Sequence, residues 1–120
     1  MQNQTTNPHI QRIHSVAYRI KILHKSVMDV MTRLGGRTVN SSYILHDGMV
    51  REAYGYYVFP MVGAVTTSLS YSQDLRCIFN VNFVGFENER NKFNNIKNLL
   101  EEALKKNGLN SVSKKWMKNT

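Results

Sequence analysis

The sequence contains a single cysteine, Cys77, and no long apolar run, and both absences limit what the protein can be. One cysteine cannot form a disulfide within the chain, which agrees with a reducing compartment. No apolar run approaches the ~20 residues that a membrane span requires. The first nine residues, MQNQTTNPH, lack the charged and apolar regions of a secretory signal. We therefore expect a cytoplasmic protein that does not cross a membrane.

Recognisable catalytic, metal-binding and nucleotide-binding motifs are also missing from the sequence. It contains no HExxH, no CxxC and no cluster of carboxylates. Cys77 alternates with apolar residues, which favours a core thiol over a nucleophile. His46 and Asp47 directly precede a glycine, where aspartate serves the backbone of a turn. His14 and His24 lie ten residues apart and point in different directions on a helix. We therefore predict a non-enzymatic protein that uses no cofactor and no metal.

Acidic residues are scarce relative to basic ones, and the imbalance is concentrated at the two ends of the chain. Sixteen Lys and Arg residues against eight Asp and Glu residues leave a formal charge of +8. Residues 1–46 carry six basic residues and one acidic residue, and residues 87–120 carry eight and four. Residues 47–86 have a net charge of −1. Such a balance indicates an anionic partner, with nucleic acid as the first candidate, although simple solubility is the alternative.

The most regular stretch of the sequence spans residues 10–34. Its apolar residues recur at alternating spacings of three and four, which places them on one side of an α-helix. They are Ile13, Val16, Ile20, Leu23, Val27, Val30 and Leu34. Gly35 and Gly36 follow and provide the positive φ angle that ends a helix. The bases beside this stripe have no acidic counterparts, so we expect the helix to lie on its own sheet and not in a coiled coil.

From residue 37 the apolar period changes to two, which predicts four strands at about 37–46, 49–59, 64–71 and 75–83. Asp47 and Gly48 give the turn signal of a two-residue hairpin between the first two strands. Pro60 and Gly63 end the second strand. The four consecutive strands with short connections predict an antiparallel meander that is apolar on one face. The other face should be uncovered and polar, with Thr66, Ser68, Ser70, Asn80 and Asn82.

A second amphipathic helix is predicted from about residue 89 to residue 106, and Asn107 and Gly108 close it. The complete prediction is an α+β fold in two layers: a long N-terminal helix, a four-stranded antiparallel meander and a C-terminal helix, in the order α-β-β-β-β-α. Residues 1–8 are predicted to be a disordered leader, residues 9–108 a single domain, and residues 109–120 a basic C-terminal tail. This tail is expected to form a basic arm or a short extra helical turn.

Two groups of residues are candidates for contact with an anionic partner. Basic residues could follow a phosphate backbone, and aromatic residues could stack on bases. The candidate residues are Arg12, Arg19, Lys21, Lys25, Arg33, Arg37, Tyr54, Tyr56, Lys114, Lys115 and Trp116. Lys21 lies on a different side of the helix from the stripe formed by Arg12, Arg19 and Arg33. Strand alternation does not decide whether Tyr54 and Tyr56 face solvent or the core, since the other aromatic residues of the same strand compete for the inside.

No family motif is present in the sequence. In fold alone, a four-stranded antiparallel sheet followed by a helix resembles dimeric single-stranded DNA-binding proteins of the coactivator and whirly types, but the long first helix departs from them. We expect a small non-enzymatic binding protein that forms a dimer and engages an anionic partner through its basic terminal helices. The alternatives are a protein-interaction or regulatory adaptor, of phage or mobile-element origin, that uses the open sheet face, and a binder of a small phosphorylated ligand at a subunit interface.

Overall fold

The computed structural model describes residues 8–109 and 113–118, and it describes side chains for residues 8–109. The elements in chain order are α1 (Pro8–Arg33), β1 (Arg37–His46), β2 (Met49–Phe59), β3 (Gly63–Tyr71), β4 (Cys77–Gly85), a 3-10 turn (Glu87–Glu89), α2 (Arg90–Lys105) and β5 (Ser113–Lys118). The predicted α+β fold, with a helix before and a helix after four antiparallel strands, is confirmed. The predicted leader falls mainly on residues 1–7, which lie outside the described residues.

The sheet has five strands in the order β1-β2-β3-β4-β5. The first four pair antiparallel with their sequence neighbours, as short turns between consecutive strands require. β5 adds to the far edge of the sheet and runs parallel to β4. This strand was not predicted, since residues 109–120 were expected to form a basic arm or a short extra helical turn. A parallel neighbour needs a crossover, and α2 provides the crossover between β4 and β5.

The helix α1 packs through the predicted apolar stripe. Ile20, Leu23 and Val27 are completely buried, and Val30 is nearly so. The stripe is less covered at its ends, where Leu34 is 39% exposed. A helix of 26 residues is about 39 Å long, so its ends reach the margins of the sheet.

Glycine ends α1 as the sequence predicts. Gly35 has a φ angle of +90°, and its amide donates to the carbonyl of Thr32. The amide of Gly36 donates to the carbonyl of Met31 at 2.8 Å. These two hydrogen bonds form a Schellman motif, which satisfies carbonyls that the helix leaves without partners.

The hairpin between β1 and β2 also follows its sequence signal. Asp47 and Gly48 connect the paired residues His46 and Met49, and they have φ angles of 52° and 77°. Two successive positive φ angles are typical of a type I′ turn, which matches the twist of the flanking strands. The turn therefore fixes the register of β1 on β2.

The core lies between the two helices and one face of the sheet. Odd-numbered residues of the central strands point toward the helices, among them Tyr57, Phe59, Val65, Leu69, Phe79, Val81 and Phe83. From α2, the core receives Phe93, Ile96, Leu100 and Leu104. Even-numbered residues of the same strands form the opposite face, which no helix of the described residues covers. The predicted polar occupants of this open face are confirmed, with Thr66 exposed and Ser68, Ser70, Asn80 and Asn82 half-buried.

Candidate functional site

The exposed side of α1 carries five cations and one carboxylate, that of Asp29. The cations are the predicted candidates Arg12, Arg19, Lys21, Lys25 and Arg33, and all five are exposed. Within the described residues none of them forms an ion pair. The positive charge of this helix is therefore available to an external anion.

The helix α2 differs, because three of its four cations pair with neighbouring carboxylates. Arg90 lies 3.0 Å from Glu87, and Lys92 lies 3.6 Å from Glu89. Lys97 forms an ion pair with Glu101 one turn further along the helix. Of the two basic terminal helices predicted from the sequence, α1 is therefore the more strongly cationic.

The arginines of α1 lie on the flank that faces α2. Arg12, Arg19, Ser26 and Arg33 follow one another at intervals of seven residues, so they share one stripe of the helix. The hydroxyl of Ser26 accepts a hydrogen bond from the side chain of Asn107 at 3.2 Å, which orients this stripe toward the end of α2. Arg33 donates from Nε to the carbonyl oxygen of Asp29 at 3.4 Å.

The lysines of α1 lie on the opposite flank, toward β1. Lys21 precedes Met28 by seven residues, and the sulfur of Met28 accepts a hydrogen bond from Ser41 of β1 at 3.4 Å. Around the helix, Lys25 lies between the side that carries Lys21 and Met28 and the position of Tyr18. The side chain of Tyr18 is 65% exposed. The outward surface of α1 thus has arginines along one flank, lysines along the other and an exposed tyrosine between them.

The tyrosines of β2 face away from α1. Tyr54 and Tyr56 occupy even positions on the open face of the sheet, whereas Tyr57 points into the core. Tyr56 is 39% exposed and lies in one row with Asn40, Thr66 and Asn82. The orientation that the sequence left undecided is therefore settled in favour of solvent.

A carboxylate lies beside Tyr54 on the same open face. The hydroxyl of Tyr54 donates a hydrogen bond to the side chain of Glu52, and this bond, together with slight burial and the nearby negative charge, raises the pKa of Tyr54. Arg37 is the register partner of Val58, at the end of this face. Arg37 and Glu52 thus bring a cation and a carboxylate to this face.

The predicted candidate residues therefore fall on separate surfaces. Those of α1 lie on the helical side of the sheet, while Tyr54 and Tyr56 lie on the opposite side. Lys114, Lys115 and Trp116 belong to β5, where the register pairs them with Val81, Asn82 and Phe83 of β4. Their side chains lie outside the described residues. The sequence prediction did not separate these surfaces, because only the three-dimensional packing shows which face of the sheet the helices cover.

A cleft that sequence reasoning missed opens beside α1. It has a volume of about 620 Å³ and is lined by Arg19, Arg76 and Cys77, together with the end of α2. Burial raises the pKa of the Cys77 thiol, and the nearby Arg19 acts weakly in the opposite direction. A thiol with a raised pKa is a poor nucleophile at neutral pH. No single stretch of sequence signals the cleft, since its lining comes from three separate segments.

Beneath α1, the structure also places a row of buried polar groups. Nε2 of His24 lies 2.8 Å from the Ser41 hydroxyl, while Nδ1 of His24 has no hydrogen-bond partner within the described residues. The hydroxyls of Tyr57 and Thr67 are buried beside Gly55, and neither makes a hydrogen bond of normal geometry there. Burial lowers the pKa of His24 and raises the pKa of Tyr57 to about 12, with Thr67 opposing the second shift. Both side chains are therefore neutral at pH 7.

Three further findings concern the described residues and the chain as a whole. Among residues 8–109, no group of three or more His, Cys, Asp and Glu side chains is placed to hold a metal ion. Neither α1 nor α2 combines the length and the apolar character of a membrane-spanning helix. Comparison with known protein families, curated proteins and solved structures gives no match.

Proposed function

We propose that the chain is a non-enzymatic nucleic-acid-binding protein and that the outward surface of α1 is the contact surface. The observation that carries this proposal is the set of five exposed cations on α1, none of which forms an ion pair within the described residues. Lys and Arg residues that neutralise phosphates release condensed counterions, and this release drives most sequence-independent binding. Ion-paired cations contribute less, because they must first give up their carboxylate partners.

The dimensions of α1 favour duplex DNA over a single strand. Cations occupy both flanks of the helix, and an α-helix with its side chains is about 10–12 Å wide, close to the roughly 12 Å width of the major groove. Its length of about 39 Å is comparable to one helical turn of B-DNA, about 34–36 Å. In this arrangement the flanking cations contact phosphates on the two walls of the groove, and Tyr18 lies toward the base edges.

The proposal is tested by fluorescence anisotropy with a labelled duplex and a single strand of the same length. We expect the charge reversal Arg12→Glu with Arg19→Glu to abolish binding. At about 0.1 M salt, each phosphate contact is worth about tenfold in affinity. The matched control is Arg51→Glu with Lys92→Glu, which changes the net charge equally but affects exposed residues outside α1. Equal losses in both variants would show that net charge alone determines binding and would refute a surface on α1.

A second pair of variants distinguishes α1 from the open sheet face. Tyr54→Ala with Tyr56→Ala removes the aromatic side chains of the open face, and we expect it to leave duplex binding unchanged. Lys21→Glu with Lys25→Glu reverses the lysine flank of α1, and we expect it to weaken binding. A preference for single strands that disappears with the tyrosines would place the interface on the open face instead.

A small anionic ligand is the second candidate partner, and the cleft beside α1 favours it. Arg19 and Arg76 both line this cleft, which is large enough for a small phosphorylated molecule, and a phosphate there would compete with Asp74, which pairs with Arg76 at 3.3 Å. Arg76→Ala distinguishes a small anionic ligand from nucleic acid, because Arg76 lines the cleft but lies outside α1. A thermal shift with nucleotides that disappears in this variant, with no loss of duplex binding, would support the small ligand.

A further inference from the structure

The strand β1 forms an unprotected edge of the sheet. All ten of its residues are exposed, and no strand of the described residues pairs with its outer side. Val39, Ile44 and Leu45 are 53%, 47% and 59% exposed. Residues 38–45 contain no lysine, no proline and no carboxylate. Proteins commonly place lysine, other charged residues or proline on edge strands to prevent them from pairing with further strands. Because residues 38–45 lack them, this edge is suited to accept another strand.

We propose that β1 pairs in the antiparallel direction with β1 of a second copy of the chain, about a two-fold axis at Ser42. The pairing joins two five-stranded sheets into one continuous sheet of ten strands. Self-pairing of one surface about a two-fold axis is the simplest closed assembly. The interface proposed for nucleic acid on α1 is a different surface, so this inference stands independently of that function.

The regular part of β1 is centred on the proposed axis. Its pairing with β2 is irregular between Thr38 and Asn40 and again between Ile44 and Leu45. Residues 40–44 lie between these irregularities, and Ser42 is their midpoint. An axis at Ser42 pairs Asn40 with Ile44 of the partner subunit, and both positions are on the open face. It likewise pairs Ser41 with Tyr43 of the partner subunit, on the covered face, as antiparallel pairing requires.

The ends of β1 are complementary under the same rotation. Val39 and Leu45 of the partner subunit lie beside the regular segment on each side of the axis, so exposed apolar side chains come together there. Arg37 and Asp47 of the partner subunit lie at the same end of the paired strands, and both side chains are exposed in the single chain. A chain with a charge of +8 repels its own copy. The proposed interface is uncharged along its length and carries opposite charges where its ends meet, which favours a second copy as the occupant.

Arg37 and Asp47 lie at opposite ends of a ten-residue strand, so they are too far apart to interact within one chain. Asp47 also pairs with His46 of its own chain at 3.4 Å and lies in the turn, so the rescue by the double variant, and not the loss in either single variant, reports on contact between copies. We expect sedimentation equilibrium without oligonucleotide to give twice the chain mass of 13.9 kDa. Arg37→Glu and Asp47→Lys should each weaken the dimer by placing like charges opposite each other. The double variant should restore it, because the charges are again opposite.

A cysteine at the proposed axis provides a test that does not depend on charge. In a Cys77→Ala background, Ser42→Cys places two thiols opposite each other across the axis, within the ~4.4–6.8 Å between Cα atoms that a disulfide requires. We expect mild oxidation to link this variant into a covalent dimer. The control Asn40→Cys, in the same background, faces Ile44 of the partner subunit and should remain unlinked.

The results separate the possible occupants of the edge. Rescue by the charge swap together with selective linkage through residue 42 supports the proposed pairing. A monomer at all concentrations would overturn it and leave the edge for a strand from a different protein. A dimer whose stability does not change in any of these variants would place the interface elsewhere and would overturn it as well.

Discussion

The packing beneath α1 depends on the absence of a side chain at Gly55. A methyl group added there would lie 2.5 Å from the Tyr57 hydroxyl oxygen, 2.6 Å from Cε2 of the same ring and 2.8 Å from the Thr67 hydroxyl oxygen. Tyr57 is fully buried, and its ring is confined by the core. The φ angle of Gly55 is not in the left-handed region, so a substitution there introduces steric overlap without backbone strain.

These contacts give a magnitude for the substitution Gly55→Ala. Inserting a methyl group into a packed core costs about 1–3 kcal/mol, and three contacts below 3 Å place this site toward the upper part of that range. Alanine also reduces the entropy of the unfolded chain, which offsets about 0.4–1 kcal/mol. We therefore expect the free energy of unfolding to fall by about 1–2 kcal/mol.

The variant Tyr57→Phe removes the nearest of the three atoms and also a buried hydroxyl without a normal hydrogen bond. We expect this variant alone to be neutral or slightly stabilising. Combined with Gly55→Ala, it should recover about 0.5 kcal/mol or more, because residues in contact do not contribute additively. The recovery should be partial, since Cε2 remains 2.6 Å from the added methyl group.

Urea unfolding followed by circular dichroism gives the free energies of unfolding of the four proteins in this cycle. Gly85→Ala, whose added methyl group would meet Phe93 and Val62 and not Tyr57, provides the additive control when it is combined with Tyr57→Phe. A neutral Gly55→Ala variant, or a Tyr57→Phe variant that loses more than about 1 kcal/mol, would refute the described packing.

Two other predictions concern stability. Burial lowers the pKa of His24 below 6.5, so the unfolded chain binds a proton before the folded chain does, and stability falls as pH decreases through about 6.5. The urea midpoints at about pH 7.5 and pH 5.5 should therefore differ less in His24→Gln than in the unmodified chain. An unchanged difference would contradict a buried neutral histidine. Gly85→Ala should lower the free energy of unfolding by about 1–3 kcal/mol, because its methyl group would lie 2.6 Å from the ring of Phe93. A neutral result would show that this ring moves freely.

The sequence predicted those features of the fold that local patterns determine. The alternating spacing of apolar residues identified α1, and Gly35 and Gly36 identified its end. The pair Asp47 and Gly48 identified the first hairpin, because positive φ angles at both positions favour these residue types. The separation of Lys21 from the arginine stripe also followed from helical spacing. Each of these signals acts over a few residues, which is why a single sequence contains them.

Other features depend on contacts between distant parts of the chain. β5 has a short basic sequence without apolar alternation, and its pairing with β4 arises only after α2 has brought the chain back to that edge. The orientation of Tyr54 and Tyr56 was undecided, because either phase of β2 buries aromatic residues. Gly55 provides the space that the Tyr57 ring occupies, and this tertiary contact agrees with the observed phase.

The candidate site was only partly predictable for the same reason. Composition and spacing identified the cations of α1, but not whether carboxylates from other elements neutralise them. The described residues place no ion pair on these cations, whereas they place three on the cations of α2, two of them with carboxylates of the turn before it. The cleft beside Arg19 has no local signature, since β4 and the end of α2 complete it.

The salt dependence of duplex binding tests most directly whether the cations of α1 contact phosphates. Affinity is measured by anisotropy over a range of salt concentrations for the unmodified chain and for Arg12→Gln with Arg19→Gln. Each contact contributes about 0.9 to the slope of log affinity against log salt concentration, so the double variant should lower the slope by about 2. An unchanged slope, or duplex binding that does not depend on salt, would contradict a phosphate-contacting surface on α1.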